Sequence, residues 1–95
     1  MSDDTVEAIW ALLVETSEAH DRYEKAELGG VYDEAWAAWY AEYAVEHGLA
    51  DLVGHDVPAE DLERFLTSTN IDFQGLEPKP RDWAAYAARR IAEEL

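Results

Sequence analysis

The sequence predicts an all-α domain, and three observations support that fold class. First, four aromatic residues recur at i, i+3, i+4 and i+7 and so share one face of an α-helix: Trp36, Trp39, Tyr40 and Tyr43. Second, the segment 83–88, Trp-Ala-Ala-Tyr-Ala-Ala, repeats that pattern in weaker form. Third, no segment alternates apolar and polar residues with the period of two that a half-buried strand requires. We therefore expect about four helices, arranged as two helical hairpins that bury both aromatic stripes.

Length and composition indicate one folded domain over residues 1–95. A hydrophobic content of 48% and an aromatic content of 12% are typical of a globular chain and not of a disordered acidic tail. The absence of cysteine excludes disulfides, thiolate metal sites and cysteine nucleophiles. No apolar run approaches the ~20 residues of a membrane span, and the acidic N-terminus lacks the positive charge of a secretory signal. The expected location is the cytoplasm.

The charge of the chain is strongly negative. Seven Lys and Arg stand against 22 Asp and Glu, which gives a net charge of −15. Such a field repels nucleic acid and anionic membranes and suits a basic protein surface. An acid excess with only two lysines is also typical of a salt-adapted protein, because molar salt shortens the Debye length to about 3 Å and screens the repulsion. Salt adaptation predicts a melting temperature that rises with added salt.

The first helix is predicted to begin at Asp4 or Thr5 and to fade near Glu24. Asp4 as N-cap places Glu7 three residues further on, which is the spacing of a capping box. Its inner stripe is expected to contain Val6, Ile9, Trp10, Leu13, Ser17 and His20.

A loop is predicted over residues 25–32, because Gly29 and Gly30 together break a helix. It lacks the glycine and lysine spacing of a phosphate-binding loop. Asp33 is then the expected N-cap of the aromatic helix, which runs to about His47.

The second half of the chain repeats this layout. Gly48 is an expected left-handed helix terminator, and residues 49–53 form about one helical turn. Pro58 suits the first position of the next helix. That helix ends at Gly75 and has an inner stripe of Leu62, Phe65, Leu66, Thr69 and Phe73. The last helix begins near Pro80 and carries Trp83, Tyr86, Ala87, Arg90, Ile91 and Leu95.

Two short matches between the halves suggest an internal pseudo-repeat. Residues 12–16 can be set against residues 65–69, and residues 36–39 against residues 83–86. Each half then consists of a long helix, a polar loop and a helix that begins with Trp. The alternative is that both halves are simply Ala-rich amphipathic helices.

These residues also carry a resemblance to a protein family. The chain resembles a group of small uncharacterised proteins of actinobacteria, cyanobacteria and haloarchaea. Their pattern combines an E-T-x-x-A-H stretch, a Gly/Asp loop, a W-x-x-W-Y-A-x-Y helix and a second helix that begins with Trp. The matching positions are Glu15, Thr16, Ala19 and His20; Gly30 and Asp33; Trp36, Trp39, Tyr40, Ala41 and Tyr43; and Trp83, Tyr86 and Ala87.

The chain departs from that pattern in two places. Asp21 stands where the group commonly has a second histidine, and Glu34-Ala35 where it has Pro-Glu. The group has no known activity. The resemblance therefore implies a helical fold and supplies no catalytic residues.

His20 is the strongest single candidate for a catalytic residue. It falls on the predicted apolar face of the first helix and could act as a general base, with Glu15, Glu18 or Asp21 orienting its ring. The alternative is a core histidine whose ring is hydrogen-bonded to a neighbouring side chain or carbonyl group.

The other candidates are a metal site and an interface. His47 and His55, with Glu46 and Asp56, match no zinc-binding spacing, so we expect no metal and no cofactor. The aromatic cluster lacks the basic groove of a nucleic-acid stacking platform, and we interpret it mainly as core. The hydroxyl groups of Tyr40 and Tyr43 are expected at the surface, where they would suit a protein interface.

The sequence thus favours a non-enzymatic acidic interaction module that binds a protein partner with a basic surface or a second copy of itself. One alternative is a DNA mimic that blocks a nucleic-acid-binding protein, since carboxylates at i, i+3 and i+4 lie ~5–6 Å apart. Another is a small enzyme or ligand-binding protein centred on His20. A mimic needs its acids on one face, whereas an enzyme or ligand binder needs an open pocket at His20.

Overall fold

A computed structural model describes residues 3–31 and 33–95, and within them it contains five helices and no strand. The helices are α1 (Asp3–Glu27), α2 (Trp36–Glu46), α3 (Leu49–Val53), α4 (Ala59–Gln74) and α5 (Trp83–Glu94). The all-α prediction is confirmed, and the fifth helix is the short turn expected at residues 49–53. None of the helices in the described part of the chain is both long and apolar enough to cross a bilayer.

The long helices form two hairpins that pack face to face. α1 packs against α2, and α4 packs against α5, and a loop joins the two helices of each pair. Between the hairpins, α1 packs on α5 and α2 packs on α4. This agrees with the two-hairpin arrangement expected from the sequence.

α1 is longer than predicted at both ends. It begins at Asp3, so Asp4 lies inside the helix and the capping box predicted there is wrong. It ends at Glu27, where the Gly30 N–H donates to the Glu24 carbonyl at 2.9 Å and Gly30 has a φ of 84°. This hydrogen bond spans seven residues, and both Gly29 and Gly30 have left-handed φ values, 61° and 84°. The glycine pair therefore ends the helix about one turn later than the predicted end near Glu24.

α2 begins at Trp36, three residues after the predicted N-cap. Asp33 is not the N-cap: its Oδ1 accepts from the Ala35 N–H at 2.9 Å, in a turn that precedes the helix. This side chain therefore shapes the loop instead of capping α2. Gly48 after α2 has a φ of 102°, as predicted for a left-handed terminator.

The starts of α4 and α5 also differ from the prediction. Pro58 is the N-cap of α4, which begins one residue later at Ala59. α5 begins at Trp83 and not near Pro80, because the Asp82 side chain accepts the Ala85 N–H at 3.1 Å. Asp is among the preferred N-cap residues, so Asp82 was the signal for this helix start.

The core is aliphatic, and this corrects the expected role of the aromatic stripe. The fully buried side chains include Ile9, Leu13, Leu49, Leu62, Leu66 and Ile91. On α2 the buried positions are Ala37, Ala41 and Ala44, whereas all four rings of the aromatic stripe are only half-buried. Small side chains let helix axes approach closely, so the alanine face turns inward and the rings cover its edges.

Two positions of the predicted α1 stripe are also outside the core. Trp10 is 40% exposed, and its indole N–H donates to Asp82 Oδ2 at 2.9 Å. Ser17 is exposed, and the neighbouring Thr16 is buried instead. The Thr16 hydroxyl donates to the Leu12 carbonyl at 2.7 Å, which satisfies this polar group inside the core.

His55 links the loop after α3 to the end of α5. Its Nε2 lies 2.9 Å from the Leu95 main-chain oxygen and its Nδ1 lies 3.0 Å from the Asp56 carbonyl. Both nitrogens can donate only when the ring is protonated. These two hydrogen bonds, the Leu95 bond foremost, raise the pKa of His55 above its ordinary 6.5.

This geometry predicts a pH-dependent loss of stability. A raised pKa in the folded state stabilises the protein below pH 6.5, and that contribution is lost as the pH rises through the folded-state pKa. Thermal melting between about pH 5 and about pH 9 should show a smaller decline in His55→Gln than in the wild type. His47→Gln is the control, because exposed His47 makes one hydrogen bond, to the Tyr43 carbonyl. Parallel curves for wild type and His55→Gln would contradict the assignment.

Candidate functional site

A groove opens between the two hairpins at the end of the bundle where both polar loops lie. We call it the end groove. Its volume is about 430 Å³, within the range of small-molecule sites. Each long helix contributes to its lining: Ser17, His20 and Glu24 from α1, Trp36 and Tyr40 from α2, Asn70 and Gln74 from α4, and Trp83 from α5.

His20 lies at this groove, buried between two carboxylates. It is 7% exposed, and its Nε2–H donates to Asp33 Oδ2 at 3.0 Å. Its Nδ1 lies 3.7 Å from Glu24 Oε1, and the other oxygen of Glu24 accepts the Asp33 N–H at 3.0 Å. These contacts close a ring of interactions that fastens the loop before α2 onto α1.

The carboxylates predicted to orient His20 are not its partners. Glu15 lies beside Tyr43, Asp21 accepts from Lys25 at 3.0 Å, and Glu18 is exposed. Residues one or two positions apart do not face each other on a helix, whereas i and i+4 do. That rule identifies Glu24 as the α1 partner of His20.

The environment of His20 favours a positioning role over general-base chemistry. Trp39 and Tyr40 pack edge-on against the ring, with centroids 5.1 and 5.2 Å away. Both ring nitrogens face carboxylates, so neither is directed at a reacting group, as a general base must be. His20 therefore holds Asp33 and the walls of the end groove in place.

Three rings of the end groove stand at right angles to one another. The planes of Trp36 and Tyr40 meet at 87°, those of Trp36 and Trp83 at 85°, and those of Tyr40 and Trp83 at 88°. Their centroids are 5.4 to 5.9 Å apart. Burial raises the pKa of Tyr40, partly offset by its hydrogen bond with Ser17, and the ring stays neutral at physiological pH.

A second aromatic surface lies on the outer side of α2. We call it the aromatic column, formed by Tyr23, Trp39, Tyr43 and His47. Successive rings stack with centroids 5.4, 5.4 and 3.8 Å apart. Desolvation, with the charge of Glu15 next, raises the pKa of Tyr43. The two tyrosines predicted to bind a partner therefore lie on different surfaces, Tyr40 in the end groove and Tyr43 in the column.

The other histidines have separate roles. His47 stacks on Tyr43, and His55 binds the Leu95 main-chain oxygen. Across residues 3–31 and 33–95, no three or more His, Asp or Glu side chains are grouped so that they could hold a metal ion.

Comparison with known proteins finds no match to this chain. No protein-family model, no curated protein and no solved structure is similar enough to report. The resemblance seen in the sequence motifs stays a prediction.

Proposed function

We propose that this domain binds a small organic ligand in the end groove. The observation that carries the proposal is the groove itself, a cleft of about 430 Å³ between the hairpins with three aromatic walls. Polar side chains from both hairpins, including Ser17 and Asn70, face the same space. Concave sites lined by aromatic rings and a few convergent polar groups are typical of small-molecule binding.

An internal pseudo-repeat, which we propose as the origin of the fold, supports this placement. Three pairs at equivalent positions are almost completely buried: Ile9 and Leu62, Leu13 and Leu66, and Thr16 and Thr69. Trp36 and Trp83 each begin the second helix of a hairpin, and their rings meet at 5.7 Å. Two pairs of equivalent residues, Ser17 with Asn70 and Trp36 with Trp83, line the end groove.

The two halves differ at His20. Phe73 occupies the equivalent position in α4 and is equally buried, with 6% exposure against 7%. Each ring packs against the equivalent aromatic residue of its hairpin, His20 against Trp39 and Phe73 against Tyr86. A buried polar ring must be paired, and the His20 ring is paired with Asp33 and Glu24. The first hairpin therefore carries a polar connection at the groove where the second hairpin has an apolar ring.

A fragment screen by two-dimensional NMR tests the proposal. We expect bound fragments to shift the indole resonances of Trp36 and Trp83 together. Gln74→Trp places a large ring at the groove wall and should abolish these shifts. Ser68→Trp adds the same ring at an exposed position of α4 outside the groove, and it should leave them intact. Fragments that bind elsewhere, or that bind both variants equally, would contradict the proposal.

A protein partner at the aromatic column is the second candidate. Stacked, half-buried tyrosine and tryptophan rings are enriched at interfaces, and the column offers three such rings beside His47. A second copy of the chain is the simplest occupant to test. Sedimentation at several concentrations should show dimers that Tyr43→Ala removes, and a monomer under all conditions would exclude self-association.

The exposed acidic residues are not confined to one helix, which favours solubility or salt adaptation over a DNA mimic. Exposed carboxylates occur on every helix: Glu7 and Glu15 on α1, Glu42 on α2, Asp51 on α3, Glu60 on α4 and Glu93 on α5 are examples. A mimic needs a concentrated acidic face, whereas a spread of charge fits solubility or salt adaptation.

A further inference from the structure

The end groove carries negative charge on its walls. The Glu24 carboxylate is part of the lining, and its side chain is 23% exposed. No lysine or arginine is among the described residues that line the groove. An adjoining depression shares His20 and Glu24 with the groove and adds Glu18 and Asp21. A ligand that enters from this side meets several carboxylates.

Two cationic side chains, Lys79 and Arg81, lie near the groove, and neither is part of its lining. Lys79 Nζ donates to Gln74 Oε1 at 3.0 Å and lies 5.9 Å from the centroid of the Phe73 ring. Arg81 lines a neighbouring depression that shares Ser17 and Trp83 with the groove. The carboxylates of Glu24, Glu18 and Asp21 outnumber these two cations around the groove, and the chain as a whole carries −15.

The three perpendicular rings supply a matching non-polar surface. A cation is attracted to the face of an aromatic ring within about 6 Å of its centroid, most strongly for Trp and Tyr. All three rings line the end groove, and their centroids lie 5.4 to 5.9 Å apart, so a cation bound there lies close to more than one aromatic ring.

We infer that the ligand of the end groove is a small organic cation with an alkylated ammonium group, held by Trp36, Tyr40 and Trp83 and by the charge of Glu24. This inference rests on the proposed ligand-binding function. An alkylated ammonium suits the groove better than a bare metal ion, because its charge is spread over methyl groups that pack on rings. Metal ions need several oxygen ligands, and the described residues offer no such cluster.

Three probes of nearly equal shape separate charge from size. Choline carries the ammonium, 3,3-dimethyl-1-butanol replaces its nitrogen by carbon, and 3,3-dimethylbutyrate is an anion of the same bulk. NMR titrations at one fixed ionic strength should show choline bound about tenfold more tightly than the neutral alcohol, with shifts at Trp36 and Trp83. The anion should bind more weakly than either.

Matched variants test the residues that carry the charge and the ring surface. Glu24→Gln keeps an oxygen that can accept the Asp33 N–H and removes the negative charge, so it should weaken choline binding about fivefold or more. Glu63→Gln removes one charge from an exposed position of α4 outside the groove and should change choline binding less than about twofold. Trp83→Leu should also weaken choline, and thermal melting of each variant confirms that it is folded.

The outcomes separate this inference from the proposed function. If the alcohol or the anion binds as tightly as choline with shifts at both tryptophans, the groove is a ligand site and the cation assignment is wrong. Equal losses in Glu24→Gln and Glu63→Gln also overturn it, because the attraction is then a property of the whole acidic surface. If no probe shifts Trp36 and Trp83, and the fragment screen is also negative, the ligand-binding function fails with it.

Discussion

Replacing Leu66 by alanine is expected to lower the free energy of unfolding by about 3 kcal/mol, within the range for buried leucines. Leu66 is completely buried on α4, where that helix packs against the rest of the core. The substitution removes apolar contacts and leaves a cavity that the surrounding helices only partly close. A loss of this size is a large fraction of the ~5–15 kcal/mol that holds a small domain together.

Ile71→Ala is the matched control for that prediction. It removes a similar aliphatic side chain from the same helix, at a position that is 68% exposed. The change in stability should therefore stay within about 0.5 kcal/mol. The difference is measured by urea denaturation of both variants. When the slope of the unfolding free energy against urea concentration is unchanged, a shift in the denaturation midpoint reports the change in stability. Equal midpoints for the two variants would mean that α4 does not pack on the core as described.

Trp36→Ala is expected to cost about 2–3 kcal/mol, somewhat less than a fully buried tryptophan because the ring is only half-buried. Trp36 packs on the aliphatic core and meets Trp83 and Tyr40 edge-to-face at 5.7 and 5.4 Å. Its ring therefore joins the two hairpins. Each aromatic contact contributes about 0.5–1.5 kcal/mol beyond the area it buries.

Trp39→Ala is the comparison, and it should cost clearly less. Trp39 belongs to the aromatic column on the outer side of α2 and is not among the side chains packed against the core. The two variants share a helix and a chemical change, so the gap between their denaturation midpoints reports the packing of Trp36 between the hairpins. Equal losses would contradict the division of α2 into a core-facing edge and an outer column.

Part of the candidate site can be predicted from the sequence, and part depends on the folded structure. His20 was identified from its position on the apolar face of a helix, and its partner Glu24 follows from i to i+4 spacing. Asp33 lies 13 residues away along the chain and reaches His20 only because the loop folds back onto α1. A contact between residues so far apart in the chain leaves no helical spacing pattern from which it could be predicted. The sequence motif that pairs Asp33 with the histidine stretch was the one available signal.

The sequence by itself determined the helices, their approximate order in two halves, and the glycine that ends α2. These features depend on interactions within about four residues, such as apolar spacing, caps and left-handed glycines, so they can be read from a short window. The inner stripe of α4 could also be predicted from the sequence, since Leu62, Leu66, Thr69 and Phe73 are buried as expected. Only the tertiary structure decided which face of α2 is buried. The alanines of α2 lie inside and its rings are half-buried at the edges, because the distance between docked helices selects small side chains. The end groove has the same origin, since it exists only where the ends of four helices from both hairpins come together around Trp36 and Trp83.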